Sequence, residues 1–137
     1  MKHIGIDYGR RRIGVAISDE TGTLVRSLMV IDRQKEKNPL GVLATAITNE
    51  KVEVIVFGVP LGPHDEETEM SREVRTFAAK LAETVPLPVQ FIDESLTSRR
   101  AEELLMFRSK KERRNKSSSD RIASCLILER YLEDRPL

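Results

Sequence analysis

Val52 to Gly58 reads V-E-V-I-V-F-G. A run this apolar has no solvent-facing side, so it predicts a strand buried on both faces within a helix-covered sheet. The flanking patterns fill in that sheet. Lys2 to Tyr8 alternates with Ile4, Ile6 and Tyr8 on one face, and Gly9 to Arg12 is a tight connection. Ile13 to Ser18 and Leu24 to Ile31 read as second and third strands, joined by a turn over Asp19 to Gly22 in which glycine takes a positive φ. Asn38-Pro39 predicts a helix cap followed by proline in the first helical position, with Leu40, Leu43, Ala44 and Ile47 at helical spacing. Met70, Val74, Phe77, Ala78 and Leu81 predict a second helix, ended by Pro86-Leu87-Pro88, and Val89 to Asp93 a fifth strand. Thr97 or Ser98 caps a further helix carrying Ala101, Leu104 and Leu105. Arg108 to Ser119 reads as a loop, and Asp120 opens a last helix through about Leu132. The predicted fold is α/β: a mixed five-stranded sheet of three antiparallel N-terminal strands, then alternating helix and strand, flanked by helices.

The 137 residues predict a single domain spanning 1–137. With no tryptophan and 4% aromatics, the core is expected to be Ile, Val, Leu and Ala. One cysteine, Cys125, allows no intrachain disulfide, and no signal-like or membrane-spanning run occurs, so a cytoplasmic protein with no membrane partner is expected. The net charge of +1 neither favours nor excludes nucleic acid, but its distribution is uneven: residues 99–120 hold eight basic and four acidic side chains.

Three acidic residues fall where sites form. Asp7 ends the first strand, Glu94 follows the fifth, and Asp120 starts the last helix. If the first and fifth strands approach one another, Asp7 and Glu94 meet, and a helix packed there adds Asp120. Converging carboxylates repel unless a cation neutralises them, and hard oxygen donors suit Mg²⁺ or Mn²⁺. Such a centre performs phosphoryl chemistry by activating water and stabilising the leaving oxygen. The plainer alternative is that each is a loop or cap carboxylate, Asp120 being favoured at a helix start by the macrodipole.

The neighbours of these residues carry a resemblance. G-I-D-Y-G-R-(x)₂-I-G-V-A-I-S-D spans 5–19, V-F-G-V-P-L-G spans 56–62, F-I-D-E-S-L-T-S spans 91–98 and D-R-I-A-S-(x)₂-I-L-E-R-Y-L spans 120–132. In this order, nearly end to end, the chain resembles the YqgF family, which carries two assignments: Holliday-junction resolvase and pre-16S rRNA-processing nuclease. The resemblance implies an RNase H-like fold and an endonuclease using Mg²⁺ or Mn²⁺, with Asp7, Glu94 and Asp120 as catalytic, metal-binding carboxylates and Asp93 as a helper. Ser95 departs from the pattern, where many members have Arg, and so does Ser124, where a second Ala is usual.

The basic residues fit a nucleic-acid partner, structured RNA or branched DNA. Arg10, Arg11 and Arg12 follow Asp7, and Arg108, Lys110, Lys111, Arg113, Arg114 and Lys116 precede Asp120, with Arg99 and Arg100 extending the same surface. Such side chains grip phosphates without reading sequence; the alternative is a solvated charge run. Tyr8 alternates with core positions and is expected in the core, and His3 and His64 lack partners at metal-ligand spacing. The leading expectation is hydrolysis of phosphodiesters at the 5′ end of precursor 16S rRNA, in ribosome biogenesis. Cleavage of four-way DNA junctions in recombination and repair is the first alternative, and a non-catalytic nucleic-acid or partner-binding module the second. A sugar kinase or actin-like ATPase also uses an acidic, glycine-containing hairpin like Asp7 to Val15, but needs two lobes, and 137 residues hold one. The chain acts as a monomer or homodimer; a resolvase making two symmetric cuts calls for the dimer.

Overall fold

A computed structural model describes residues 1–94 and 116–134. The strands are β1 (His3–Asp7), β2 (Arg12–Ser18), β3 (Val25–Asp32), β4 (Val54–Val59) and β5 (Val89–Asp93). The helices are α1 (Pro39–Asn49), α2 (Glu69–Thr84) and α3 (Lys116–Asp134). The strands form one sheet in the order β3-β2-β1-β4-β5. β1, β2 and β3 pair antiparallel, and β4 runs parallel to both β1 and β5. The mixed sheet read from the sequence is therefore present, with β4 inside it as its apolar run required.

Local chemistry sets the element ends. Gly22 takes φ 72° in the β2–β3 turn, where Asp19 Oδ1 accepts from the backbone N–H groups of Thr23 and Leu24. Asn38 caps α1 by accepting from Gly41 N, with Pro39 in the first turn. Thr68 and Ser71 exchange reciprocal side-chain-to-backbone bonds at the start of α2. The chain turns into β4 through Lys51, at φ 56°, so Val52 precedes the strand instead of belonging to it.

Because strand side chains alternate, the sheet has two unlike faces. Ile4, Ile6, Ile13, Val15, Ile17, Ile55 and Phe57 point to one face and form the larger core with Leu43 and Ile47 of α1 and Val74, Phe77 and Leu81 of α2. Ala16, Val54 and Val56 point to the other, against Ile127 and Leu128 of α3.

α3 corrects one expectation. It begins at Lys116, so 116–119 are helical instead of loop and Asp120 lies a turn inside the helix. Packing of α3 across the sheet outweighs the weak intrinsic preference of a Lys-Ser-Ser-Ser start. The predicted helix after Thr97 and the greater part of the basic segment lie outside the described residues.

Candidate active site

Asp7 and Glu94 meet, but not by direct approach of their strands. β4 lies between β1 and β5. Ile6 pairs with Phe57 and Gly58 with Ile92, so Asp7 and Glu94 flank the β4 position occupied by Gly58. Glu94 is fixed there through its backbone N–H, which donates to Val59 O at 3.0 Å. A Cβ on Gly58 would stand 2.7 Å from Glu94 Oε2 and 2.5 Å from Ile127 Cδ1. The missing side chain is thus the gap through which the Glu94 carboxyl reaches Asp7.

The same device brings in α3. Asp7 pairs with Gly14 of β2 on its other side. A Cβ on Gly14 would lie 2.5 Å from the backbone oxygen of Asp120 and 3.3 Å from Ser124 Cβ, and one on Gly5 would lie 2.7 Å from Leu128 Cβ. Three neighbouring strands therefore each present glycine to the helix, which comes close enough to set Asp120 beside the strand ends. Ser124 is fully buried at this approach and donates to Arg121 O, so its departure from the family pattern keeps the small side chain the spacing demands.

The electrostatics follow from the crowding. Burial raises the Asp7 carboxyl to about 6, against a lowering hydrogen bond from Glu94, and the charge of Asp120 adds to the rise. Glu94 is pushed up to about 9, first by burial, then by the charge of Asp7, its hydrogen bond with Asp7 and the charge of Asp93. The pair holds a proton between them near neutral pH, with protonated Glu94 donating to the Asp7 carboxylate. Asp120 is instead engaged by Arg12, whose Nε donates to Oδ2 at 2.8 Å.

Among the described residues, no three His, Cys, Asp or Glu side chains are grouped ready to hold a metal ion, and Asp120 faces Arg12. The donor set nevertheless fits one. Asp7 and Glu94 are oxygen donors so close that they retain a proton, and Asp120 already holds a cation in the form of a guanidinium. A hard divalent ion held by the three carboxylates would supply, as one compact charge, what that proton and that guanidinium now provide.

The other basic residues divide. Arg10 bonds Glu73 and approaches Glu69 at 3.5 Å, and Arg11 lies 3.7 Å from Asp32 with half its side chain exposed. Arg99, Arg100, Arg108, Lys110, Lys111, Arg113 and Arg114 lie outside the described residues, as does the side chain of Lys116. His3 is buried, its ring near Tyr131 and Nδ1 at 2.9 Å from Met1 O. Sequence reading missed the Arg12–Asp120 pair; Arg12 alternates with Gly14 and Ala16, so strand parity marks it as the arginine of its run that faces α3.

No helix among the described residues is long and apolar enough to cross a membrane. The profile of the family described as "RuvX: Holliday junction resolvase" matches residues 1–134. A protein of Syntrophus aciditrophicus named "Putative pre-16S rRNA nuclease" is 37% identical over 97% of this chain and 89% of its own length. One of the same name from Maridesulfovibrio salexigens is 39% identical over 96% of this chain and 98% of its own. Among solved structures, Thermus thermophilus RuvC in complex with a Holliday junction substrate aligns with TM-score 0.59 and 16% identity, covering 93% of this chain and 92% of that one. The Fowlpox virus resolvase in complex with Holliday junction DNA aligns with TM-score 0.62 and 13% identity over 97% of each chain. These two likenesses show an RNase H-like fold.

Proposed function

The chain belongs to the RuvX (YqgF) family, and from that premise we propose that it is a metal-dependent endonuclease that hydrolyses phosphodiesters of structured nucleic acid. The observation that carries this reading is the meeting of Asp7 and Glu94 over Gly58, with Asp120 brought alongside by α3. Within one domain spanning 1–137, Asp7, Glu94 and Asp120 would hold Mg²⁺ or Mn²⁺. Such an ion, when bound, neutralises the carboxylates and the charge developing on the phosphate and activates the attacking water. Asp7, between the other two, would hold the ion together with each of them. Glu94, relieved of its proton, orients water at the strand ends, and Asp93 adds negative charge behind it. Arg12, released from Asp120, is placed to meet a phosphate oxygen beside the site. Arg10, Arg11, Arg99, Arg100, Arg108, Lys110, Lys111, Arg113, Arg114 and Lys116 supply further phosphate contacts.

The substrate we favour is the 5′ end of precursor 16S rRNA, in the cytoplasm, because the curated relatives aligned over nearly the whole chain bear that name. A four-way DNA junction is the second reading, favoured by the description of the matching family. Both substrates, offered to wild type and Asp7→Asn with Mg²⁺, Mn²⁺ or EDTA, separate the possibilities. Metal-dependent cutting of the RNA by wild type alone is the expected result, and cutting of the junction alone moves the assignment to DNA. Equal binding by both proteins with no cutting of either substrate replaces the nuclease reading with that of a binding module.

A further inference from the structure

On the face of the sheet opposite the carboxylates, a cavity of about 530 Å³ lies between the end of β1, the segment after β3 and the outer surface of α2. That is room for a nucleotide-sized ligand. Its floor is aromatic. The Tyr8 and Phe77 rings lie 5.0 Å apart, and the Arg33 guanidinium sits over both, at 5.1 and 5.9 Å from their centroids. Arg33 is fixed in place because Nη1 donates to Gly9 O at 3.1 Å. Lys37, Arg72 and Lys80, all exposed, complete the wall.

The charge of this cavity is arranged, not merely basic. Two carboxylates also line it, Glu69 and Glu73, and both are turned to Arg10, with Glu73 further accepting from the Tyr8 hydroxyl. Arg10, outside the cavity lining, thereby offsets one of these two negative charges, and the four cations of the lining outnumber the remainder. The four lining cations close no ion pair with a carboxylate among the described residues. A guanidinium held over aromatic rings, ringed by three exposed cations, is suited to a flat ring bearing phosphate: bases stack on guanidinium planes, and lysine and arginine heads take phosphate oxygens.

We propose that this cavity holds a nucleotide of a single strand continuous with the one whose phosphodiester meets the carboxylates, base against Arg33 and phosphates on Lys37, Arg72 and Lys80. The placement favours a strand over a free nucleotide. Tyr8 directly follows Asp7, just past the end of β1, and packs on the opposite face against Phe77, so the cavity and the carboxylates sit on either side of the same strand end, and a chain crossing the strand ends there reaches both. The identity of that strand rests on the nuclease reading; the cavity and its ligand chemistry do not.

The test is binding of a fluorescein-labelled single-stranded RNA about ten nucleotides long, followed by anisotropy in EDTA on the Asp7→Asn background. Removing two of the three wall cations, Lys37→Ala with Lys80→Ala, is expected to weaken binding about tenfold. It should also lower the slope of log affinity against log salt by about 1.4, as loss of two single-strand phosphate contacts requires. Arg26→Ala with Lys51→Ala removes the same charge from exposed positions elsewhere and is expected to leave affinity unchanged. A strand of equal length with abasic sites should bind more weakly to the background protein. Equal loss in the two double variants, or loss in neither, overturns the proposal, and abasic binding as tight as that of the intact strand overturns its base contact. AMP that binds saturably at these cations without displacing the RNA overturns the strand in favour of a free nucleotide. Because binding is read without metal or turnover, failure to cut any substrate leaves this result standing, and cutting with unaltered binding by the Lys37/Lys80 variant refutes the cavity alone.

Discussion

Phe57 and Gly58 are consecutive residues of β4 that look to opposite faces of the sheet. Phe57 is fully buried, edge-on to Phe77 of α2 at 6.2 Å between ring centroids. Gly58 offers only the gap that the Glu94 carboxyl and Ile127 of α3 share. The contrast repeats on β1, where Ile4 and Ile6 face α1 and α2 while Gly5 and Asp7 face α3, and on β2, where Ile13 and Val15 oppose Arg12 and Gly14. One face is filled with large side chains and holds the fold together. The other is pared to glycine, so that a helix backbone and three carboxylates can crowd the strand ends at an electrostatic cost. The bulk of the core and the proposed chemistry thereby lie on different sides of the same five strands, and substitutions on the two sides should separate them.

The largest effect belongs to the filled face. Phe57→Ala removes a ring closed in by Phe77 and Phe91 and should cost about 3–5 kcal/mol in denaturant unfolding. Cleavage per folded molecule should be retained, and should be read with the milder Phe57→Leu as well. A loss of cleavage with stability intact would break the division. On the pared face the order reverses. Gly14→Ala drives a methyl group against the Asp120 backbone oxygen and should cost about 1–3 kcal/mol as α3 moves off. Its cleavage should fall further than that of Phe57→Leu at equal stability.

A smaller effect is expected from pH. Asp7 and Glu94 are raised from ordinary values of 3.8 and 4.5 to about 6 and about 9. The folded protein therefore keeps protons that the unfolded chain has released. The stability this contributes is complete below the ordinary values and is lost as pH rises through the raised ones. The melting temperature of metal-free protein should drop between pH 5 and pH 9, Asp7→Asn should flatten that slope, and Mg²⁺ or Mn²⁺ should restore the lost degrees at high pH. An unchanged melting temperature across this range would deny the crowding. The smallest effect is on stability in Arg12→Ala. The pair with Asp120 is partly exposed, so its loss should cost no more than about 1 kcal/mol. The Mn²⁺ concentration that gives half the thermal shift should meanwhile fall, because Asp120 no longer has a competing cation.

What the sequence made legible follows from range. Strands with a strong two-residue period, the Asn38-Pro39 cap and the apolar β4 run are local signals, and β1, β2, α1 and β5 stand close to where they were expected. Asp7 and Glu94 were legible as strand-end residues, but the intervening β4 was not, since pairing order is a property of the whole sheet. The start of α3 at Lys116 was hidden because packing, not propensity, extends it. Arg12–Asp120 joins residues 108 apart, and the cavity gathers Tyr8, Arg33, Lys37, Arg72 and Lys80 from three parts of the chain. No periodicity announces either. What the glycines admit, a carboxylate at Gly58 and a helix backbone at Gly14, required the fold.

The central claim is that the pared face assembles a carboxylate site for a divalent ion. Calorimetric titration of Mn²⁺ into wild type, Asp7→Asn, Glu94→Gln and Asp120→Asn addresses it most directly. Saturable binding to wild type, weakened about tenfold or more in each variant by loss of a charged oxygen ligand, is the predicted result. Binding of equal strength in all four proteins would contradict the account.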